Sequence, residues 1–397
     1  MQNIILFDSP EIHQNLLPLT FTRPIADLRV GILTIREKWE RRLPGNYSYL
    51  TEQYLSKKYA VHTEKCNLFI AGHILPTEEL IETAVNLQPG EACKSGDKTI
   101  LYKGSINEFL KQQYSRSIEY GQPFCYIEML YDIFMKNETA IEQDFRLITT
   151  GRKSAPISPT NTVIGEHAYP DGLSKIFIED GATVECCSLN LTEGPIYIGK
   201  DAELMEGCCI RAPFAACEHS VAKMGCKIYG ATTLGPYCKV GGELSNVVMT
   251  GYSNKAHDGF LGNAVIGEWC NLGAGTTASN LKNDYTEIKL WHYPSHRFLR
   301  TGLQFCGLIM GDHSKAGINC MFNTATVIGV GVNIYGAGFP RNFVASFSEG
   351  GTSGFTDVAL NKFFATAEKM MIRRNRQLTE IDKEIFESIY NQAENFK

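Results

Sequence analysis

Of the nine histidines in the chain, His257 occupies the position best suited to chemistry. It stands just ahead of the stretch GFLGNAVIGEWCNLGAGTTAS, in which Phe260, Ile266 and Leu272 recur at intervals of six. Gly267 and Gly273 each follow a member of that series. An imidazole with an ordinary pKa near ~6.5 can accept a proton from a nucleophile at neutral pH, an effect worth about 10²–10⁴ in rate. Backbone N–H groups of a tight turn beside it would stabilise a developing oxyanion.

The elements that must hold this histidine follow from the same interval. A period of six fits neither a 3.6-residue helix nor a simple alternating strand. It matches hexapeptide repeats that stack into a parallel β-helix. The aliphatic rungs continue at Ile178 and Val184, at Ile198, Leu204 and Ile210, and at Ile228, Leu234 and Val240. Met310, Ala316, Phe322, Ile328 and Ile334 form the longest unbroken run. Each hexad reads as a short strand and a corner, with the aliphatic turned inward. One coil buries almost nothing, so several must stack.

Two stretches leave the period. Ala212–Ser220 reads as a small excursion, and Asn280–Phe305 as a larger inserted loop rich in aromatic and basic residues. Insertions in a solenoid project from one face, so Asn280, Lys282 and Lys289 are expected to face the His257 region.

Residues 1–155 carry only eight of the 36 glycines and read as an α/β domain. Strands are expected at Asn3–Phe7 and Asn67–Ala71. Helices are expected at Thr34–Leu43, after Thr77 as N-cap, and at Ile127–Ile141. SAPISPTN, from Ser154, is the linker to a β-helix domain over 156–354. Residues 355–397 form a helical cap over its open end. Its second helix starts at Thr379 and carries an apolar stripe of Leu378, Ile381, Ile385 and Ile389. The basic MIRRNR run reads as a solvated helix end.

A net charge of −5 with no long basic block argues against nucleic acid or membrane-surface partners. No apolar run approaches the about 20 residues that span a bilayer. The start, MQNIILFDSPE, lacks a basic n-region, so a cytoplasmic protein is expected. Ten of the 13 cysteines lie between Cys186 and Cys320. They read as small buried residues of a tight interior, not as a disulfide framework.

The segment from His257 through GFLGNAVIGEWCNLGAGTTASNL resembles the acetyltransferase half of the bifunctional UDP-N-acetylglucosamine pyrophosphorylase/glucosamine-1-phosphate acetyltransferases. The likeness covers about residues 160–345, and the layout resembles a shortened member of that family. The resemblance implies a left-handed β-helix, a homotrimer and transfer of acetyl from acetyl-CoA to the amine of a sugar phosphate. It makes His257 the general base, and Asn271 and Asn280 substrate contacts. Ala274, Asp312 and Gly336 become coenzyme contacts. Phe260 stands where the family has a phosphate-binding tyrosine. Gly241 replaces a phosphate-binding arginine, leaving Lys239 and Lys255 as substitutes.

More loosely, LPLTFTRP (Leu17–Pro24) and NLFIAGHILPTEEL (Asn67–Leu80) resemble pieces of sugar-1-phosphate nucleotidyltransferases. Arg23 and Lys38 are the phosphate-binding candidates. There is no glycine before Gly31 to cradle phosphates, and His73 occupies the place of a magnesium-binding aspartate. Two readings therefore stay open: a Mg-dependent nucleotidyltransferase, and a degenerate or regulatory domain, which the missing parts favour. Two other classes compete for the β-helix. One is a zinc enzyme using histidines such as His292 and His296, which lie apart from the hexads. The other is a scaffold without catalysis.

Overall fold

The structure, a computed structural model, describes residues 2–397. Its contacts gather into two units. The first holds residues to Leu16, Thr22–Leu28 and Leu33–Met129; the second holds Leu17–Phe21, Arg29–Ile32 and Leu130–Lys397.

The first unit is built on a six-stranded sheet of β1 (Gln2–Phe7), β2 (Gly45–Leu50), β3 (Asn67–Ala71), β4 (Glu91–Ser95), β5 (Lys98–Gly104) and β6 (Arg116–Glu119), in the order β2-β1-β3-β5-β4-β6. β1 pairs in parallel with both β2 and β3, whereas β5 runs antiparallel to β3. Every residue of β3 is buried, which explains the apolar run from Leu68 to Ala71. Thr34 caps the helix Ile35–Arg42 in a capping box with Glu37, and Thr77 caps Glu78–Asn86.

The helix expected at Ile127–Ile141 forms further along, as Asp132–Met135 and Asn137–Thr149. Asn137 explains the shift. Its side chain donates to Ala231 O at 2.6 Å and accepts from Gly31 N–H at 2.7 Å. Asp144 likewise accepts from Ile32 N–H at 2.8 Å. These bonds join the helix to the second unit, so by contacts the division falls at Leu130, ahead of the linker at Ser154.

The second unit is a parallel β-helix with three faces. Face one runs from Ile176–Ile178 through Ile196–Ile198, Phe214–Ala216 and Thr232–Leu234 to Phe343–Val344. Face two runs from Thr183–Val184 to Ser348–Gly351. Face three begins at Thr162–Ile164 and ends with Thr277–Ala278 against Met321–Phe322. Regular coils repeat after eighteen residues, three hexads, as in Val221 with Lys239 and Lys315 with Asn333. This is the layout of a left-handed β-helix.

Among the rungs read from the sequence, only Phe260 lies outside the buried core cluster. The period slips around it. After Val240 the inward positions are Leu244, Met249, Lys255, Leu261 and Ile266, all 0% exposed. Their pairing confirms the column: Ile228 with Leu244, Leu234 with Met249, Val240 with Lys255, and Leu244 with Leu261. Two nine-residue strands, Glu243–Gly251 and Phe260–Glu268, bend around the corner between faces three and one. Cys187, Cys208, Cys226, Cys238, Cys270 and Cys320 line the interior, as expected of small fillers, whereas Cys186 and Cys209 are exposed.

Ala212–Ser220 is no excursion, because Phe214–Ala216 stays in register between neighbouring coils. The insertion after Asn280 is a hairpin of Lys289–His292 and Arg297–Arg300. Its Trp291 stacks on Phe343 at 4.1 Å, and its Tyr293 packs on Phe343 and Phe396. The C-terminal helices, Leu360–Ile372 and Glu380–Ala393, do not merely plug the open end. Phe363 meets His313 and Phe347, while Arg374 and Arg376 reach back to Asn254 and Tyr252, so the helices brace a flank across several coils. Thr379 is the expected cap, but the buried stripe is Ile385, Phe386, Ile389 and Ala393, leaving Ile381 39% exposed. Among the described residues, no helix is long and apolar enough to cross a membrane.

The inward column makes a stability prediction. Phe322→Ala empties a fully buried position and should lower unfolding free energy by about 3–5 kcal/mol. Met321→Ala, one residue earlier and 38% exposed, should cost under about 1 kcal/mol. Urea unfolding of the two variants checks the difference.

Candidate functional site

His257 lies on the turn that joins Asn254–Lys255 on face two to Phe260–Glu268 on face three. The chain must turn tightly here, directly above the Gly241–Gly242 corner of the preceding coil. A Cβ on Gly241 would stand 2.6 Å from Ala256 O, and one on Gly242 (φ +77°) 2.6 Å from Gly259 O. No side chain fits beneath the turn, which accounts for the glycine at Gly241. Gly241 N–H donates to Lys255 O at 2.8 Å, and Gly275 N–H to Asp258 O at 3.0 Å. The backbone of the turn is thus bonded to the coil on either side, and the imidazole is exposed.

Two adjoining clefts share His257, Ala256, Ala274 and Ile318. The larger has a volume of about 680 Å³ and the smaller about 510 Å³. The floor of the larger is the outward column of face two. Lys239 pairs with Asn254, Asn254 with Asn271 and Asn271 with Lys315, and all four side chains line the cleft. Neighbouring members of such a column are about 4.8 Å apart.

One wall is aromatic. His219, Tyr237, Tyr252, Trp269 and His313 occupy successive coils at one corner, each with φ between 55° and 60°. Their rings stack at 4.5, 5.1, 4.3 and 6.1 Å between centroids. Tyr252 and Trp269 face the cleft. The other wall comes from the helix Leu360–Ile372 and the turn that ends it, through Lys369, Arg373 and Arg374. Five cations therefore meet in one cleft. Burial lowers the pKa of Lys239, with Arg374 adding repulsion, and burial lowers that of Lys315.

The expected site residues divide cleanly. His257, Asn271, Ala274 and Lys239 come together in the cleft. Lys255 does not: it is 0% exposed and points into the β-helix, because the slipped period places it on an inward rung. Phe260 is not a rung, Leu261 being inward, and it lines neither cleft. Asn280 donates to Asn263 Oδ1 at 2.8 Å, and Lys282 donates to Glu287 O at 2.9 Å within the insertion. That insertion leaves at the corner between faces three and one, so neither these residues nor Lys289 joins His257. Asp312 is buried and accepts from Glu268 N–H at 2.8 Å, bracing the neighbouring coil. Gly336 lines neither cleft.

Sequence reasoning missed Lys315, the two aromatics and the helix cations. Lys315 carries a readable signal, since it immediately precedes the Ala316 rung, as Asn271 precedes Leu272 and Lys239 precedes Val240. The arginines of MIRRNR stand at a largely exposed helix end, as expected, and two of them also make contacts. Arg374 donates to Asn254 Oδ1 at 3.3 Å, and Arg376 to the Tyr252 hydroxyl at 3.1 Å.

In the first unit, a pocket of about 460 Å³ opens where the parallel strands β1 and β2 end, and His73 lines it just past β3. Asp8, Glu52 and Asp97 also line it, and Lys98 pairs with Glu128 at 2.7 Å. Asp8 Oδ2 lies 2.9 Å from His13 Nδ1 and accepts from Thr51 Oγ1 at 2.6 Å, while Oδ1 accepts from Ile25 N–H at 3.1 Å. Arg23 and Lys38 are buried at 5% and 4% exposure and do not line this pocket. His292 Nδ1 lies 2.8 Å from Ser295 Oγ, and His296 stacks on Phe396. Among the described residues, no three His, Cys, Asp or Glu side chains group to hold a metal ion.

The cation cluster predicts anion binding with a particular pH dependence. Lys239 and Lys315 have folded pKa values below 10.5, so they lose charge at lower pH than free lysines. Pyrophosphate binding by calorimetry should weaken as pH rises, starting below the range in which free lysines lose their charge. Lys239→Met should weaken it throughout.

Residues 4–153 match the model of the sugar nucleotidyl transferase family. Over 146 residues the chain is 30% identical to the bifunctional sugar-1-phosphate nucleotidylyltransferase/acetyltransferase of Sulfurisphaera tokodaii, covering 36% of each protein. Over 107 residues it is 30% identical to the bifunctional protein GlmU of Trichodesmium erythraeum, covering 26% of this chain and 19% of that one. The matched stretches thus span about a third and a fifth of those relatives. The UDP-N-acetylglucosamine acyltransferase of Francisella novicida aligns at a TM-score of 0.31 and 14% identity, covering 60% of this chain and 87% of that one. The Arabidopsis enzyme of that name aligns at 0.22 and 13%, covering 55% and 77%. Scores this low carry no argument. By sequence, the chain is similar over part of its length to the bifunctional nucleotidyltransferase/acetyltransferases, with its sugar nucleotidyl transferase match confined to residues 4–153.

Proposed function

We propose that the β-helix transfers acetyl from acetyl-CoA to the amine of an amino-sugar phosphate, with His257 as general base. The observation that carries this reading is the single cleft that joins an exposed histidine to five cations and an asparagine. Both substrates bear phosphates, and a cluster of Lys and Arg side chains is what would hold them. Asn271 and Ala274 line the same cleft; in this reading Asn271 orients the sugar and the Ala274 backbone contacts the acetyl donor.

The step balances with few parts. His257 takes a proton from the substrate ammonium, and the freed amine attacks the thioester carbon. The C–N bond forms, and the tetrahedral oxyanion collapses with cleavage of the C–S bond. The proton on His257 then passes to the departing thiolate, and the nitrogen sheds its surplus proton to solvent, leaving the neutral amide. Acetyl-CoA is the co-substrate, and Ile318 and Met224, 72% and 70% exposed beside the clefts, support packing against further copies in a trimer. A cytoplasmic location follows from those substrates.

A second reading is nucleotidyl transfer in the first unit, favoured by the family match over residues 4–153. Mg²⁺ would need a carboxylate with free oxygens. Asp8 has both oxygens engaged, which leaves Glu52 and Asp97 as the pocket carboxylates that would hold the ion. Bound there, it would neutralise charge on the nucleotide phosphates. Pyrophosphate release from UTP or ATP with a sugar 1-phosphate and Mg²⁺ would establish this activity; its absence leaves the unit as a binding or regulatory domain.

The main test is thiol release from acetyl-CoA with glucosamine 1-phosphate. Wild type should release thiol only with the acceptor, and His257→Ala should lower the rate by about 100-fold or more. Equal rates in the two proteins would remove His257 from the mechanism.

A further inference from the structure

We propose that Lys255 is a positioning residue for His257, an ammonium inside the β-helix that fixes the turn carrying the imidazole. This inference rests on the acetyl-transfer reading of the site. Lys255 is 0% exposed and shares its inward column with Val240. Its Nζ donates to the carbonyl oxygens of His257 and of Asp258, the latter at 3.0 Å. A lysine at a core rung is costly unless the ammonium is hydrogen-bonded. Here the bonds go to the two carbonyls of the turn and to no carboxylate.

The surroundings explain why a long cation is used. Elsewhere along this corner the interior is filled by small side chains, Cys187, Cys208 and Cys226 before the turn and Thr276 and Cys320 after it. The corners at Gly242 and Gly259 supply no such filler. Lys255 reaches along the interior to that gap, with Cys226 and the Asp258 carboxylate as its nearest titratable neighbours. Without the ammonium, the His257 carbonyl would face an apolar interior with no donor, so the turn would rotate to satisfy it. The imidazole would move with the turn, and a shift near ~1 Å costs about 100-fold in rate. Burial lowers the amine's pKa, while Cys226 and Asp258 oppose that change.

The test compares full-length wild type, Lys255→Met and Lys255→Gln. Lys255→Met keeps the length of the side chain without a donor, whereas Lys255→Gln retains a neutral donor. The readouts are acetyl-transfer kinetics and the His257 ring resonance, assigned by its loss in His257→Ala. In a Lys255→Met protein with wild-type circular dichroism, kcat should fall about 100-fold, KM for acetyl-CoA should stay within about twofold, and the His257 resonance should move. Lys255→Gln should recover most of the loss. A folded Lys255→Met with wild-type kcat and an unmoved resonance overturns the proposal. If wild type transfers no acetyl, the reading of the site falls, and the resonance alone decides the positioning. If neither variant folds, ¹⁵N-lysine spectra of wild type decide. One slowly exchanging ammonium with cross-peaks to the α-protons of residues 257 and 258 supports the role. Fast exchange of every lysine ammonium overturns it.

Discussion

Every feature of the second unit depends on the inward column. A two-residue strand buries one side chain and turns the next outward, so a coil has no core of its own. Stability comes only when Val240, Lys255 and Leu272, or Met310, Ile328 and Val344, stand in line through successive coils. The same register fixes the outside. Once the inward residues are stacked, Lys239, Asn254, Asn271 and Lys315 are stacked as well, at the spacing of strands in a sheet. The floor of the cleft is a consequence of the core.

The rungs could be read from the sequence wherever the step stayed at six, because hydrophobicity alone marks an inward position there. They could not be read between Val240 and Ile266, where the steps shorten. A lysine occupies one rung there, and a phenylalanine stands one residue before another. Phe260 kept the six-residue step to Ile266 and Leu272, and Leu261 was nevertheless the buried one. Lys255 had the composition of a phosphate ligand and the address of a core residue. The place of His257 was legible, an exposed corner that the break in the pattern signalled. The ring stack and the helix cations were not, since contacts such as Arg374 with Asn254 join residues far apart in sequence.

The first unit illustrates a different limit. Its strands and N-caps follow from local patterns, as Thr34 and Thr77 show. The pocket at the strand ends also follows from topology, being the crevice that parallel strands leave. What the pocket holds does not follow from either. The phosphate-cradling glycines of a nucleotidyl transfer site are absent, and Asp8 spends its oxygens on His13, Thr51 and Ile25. A family match identifies the scaffold; the donors in the pocket decide the chemistry.

Net charge hid the cleft in the same way. A chain at −5 gives no hint of an anion site, because the field that a ligand meets is set by the charges that converge, not by their sum. Lys239 and Lys315 come from coils three turns apart on one face, and Lys369, Arg373 and Arg374 from a helix more than fifty residues later. The helix is held there by ring contacts, Phe363 on Phe347 and on His313, beside an ion pair of Lys362 with Glu349. Packing of aromatic side chains at one end of the brace thus delivers the cations at the other. The β-helix supplies the exposed histidine and the floor, and the brace completes the electrostatics.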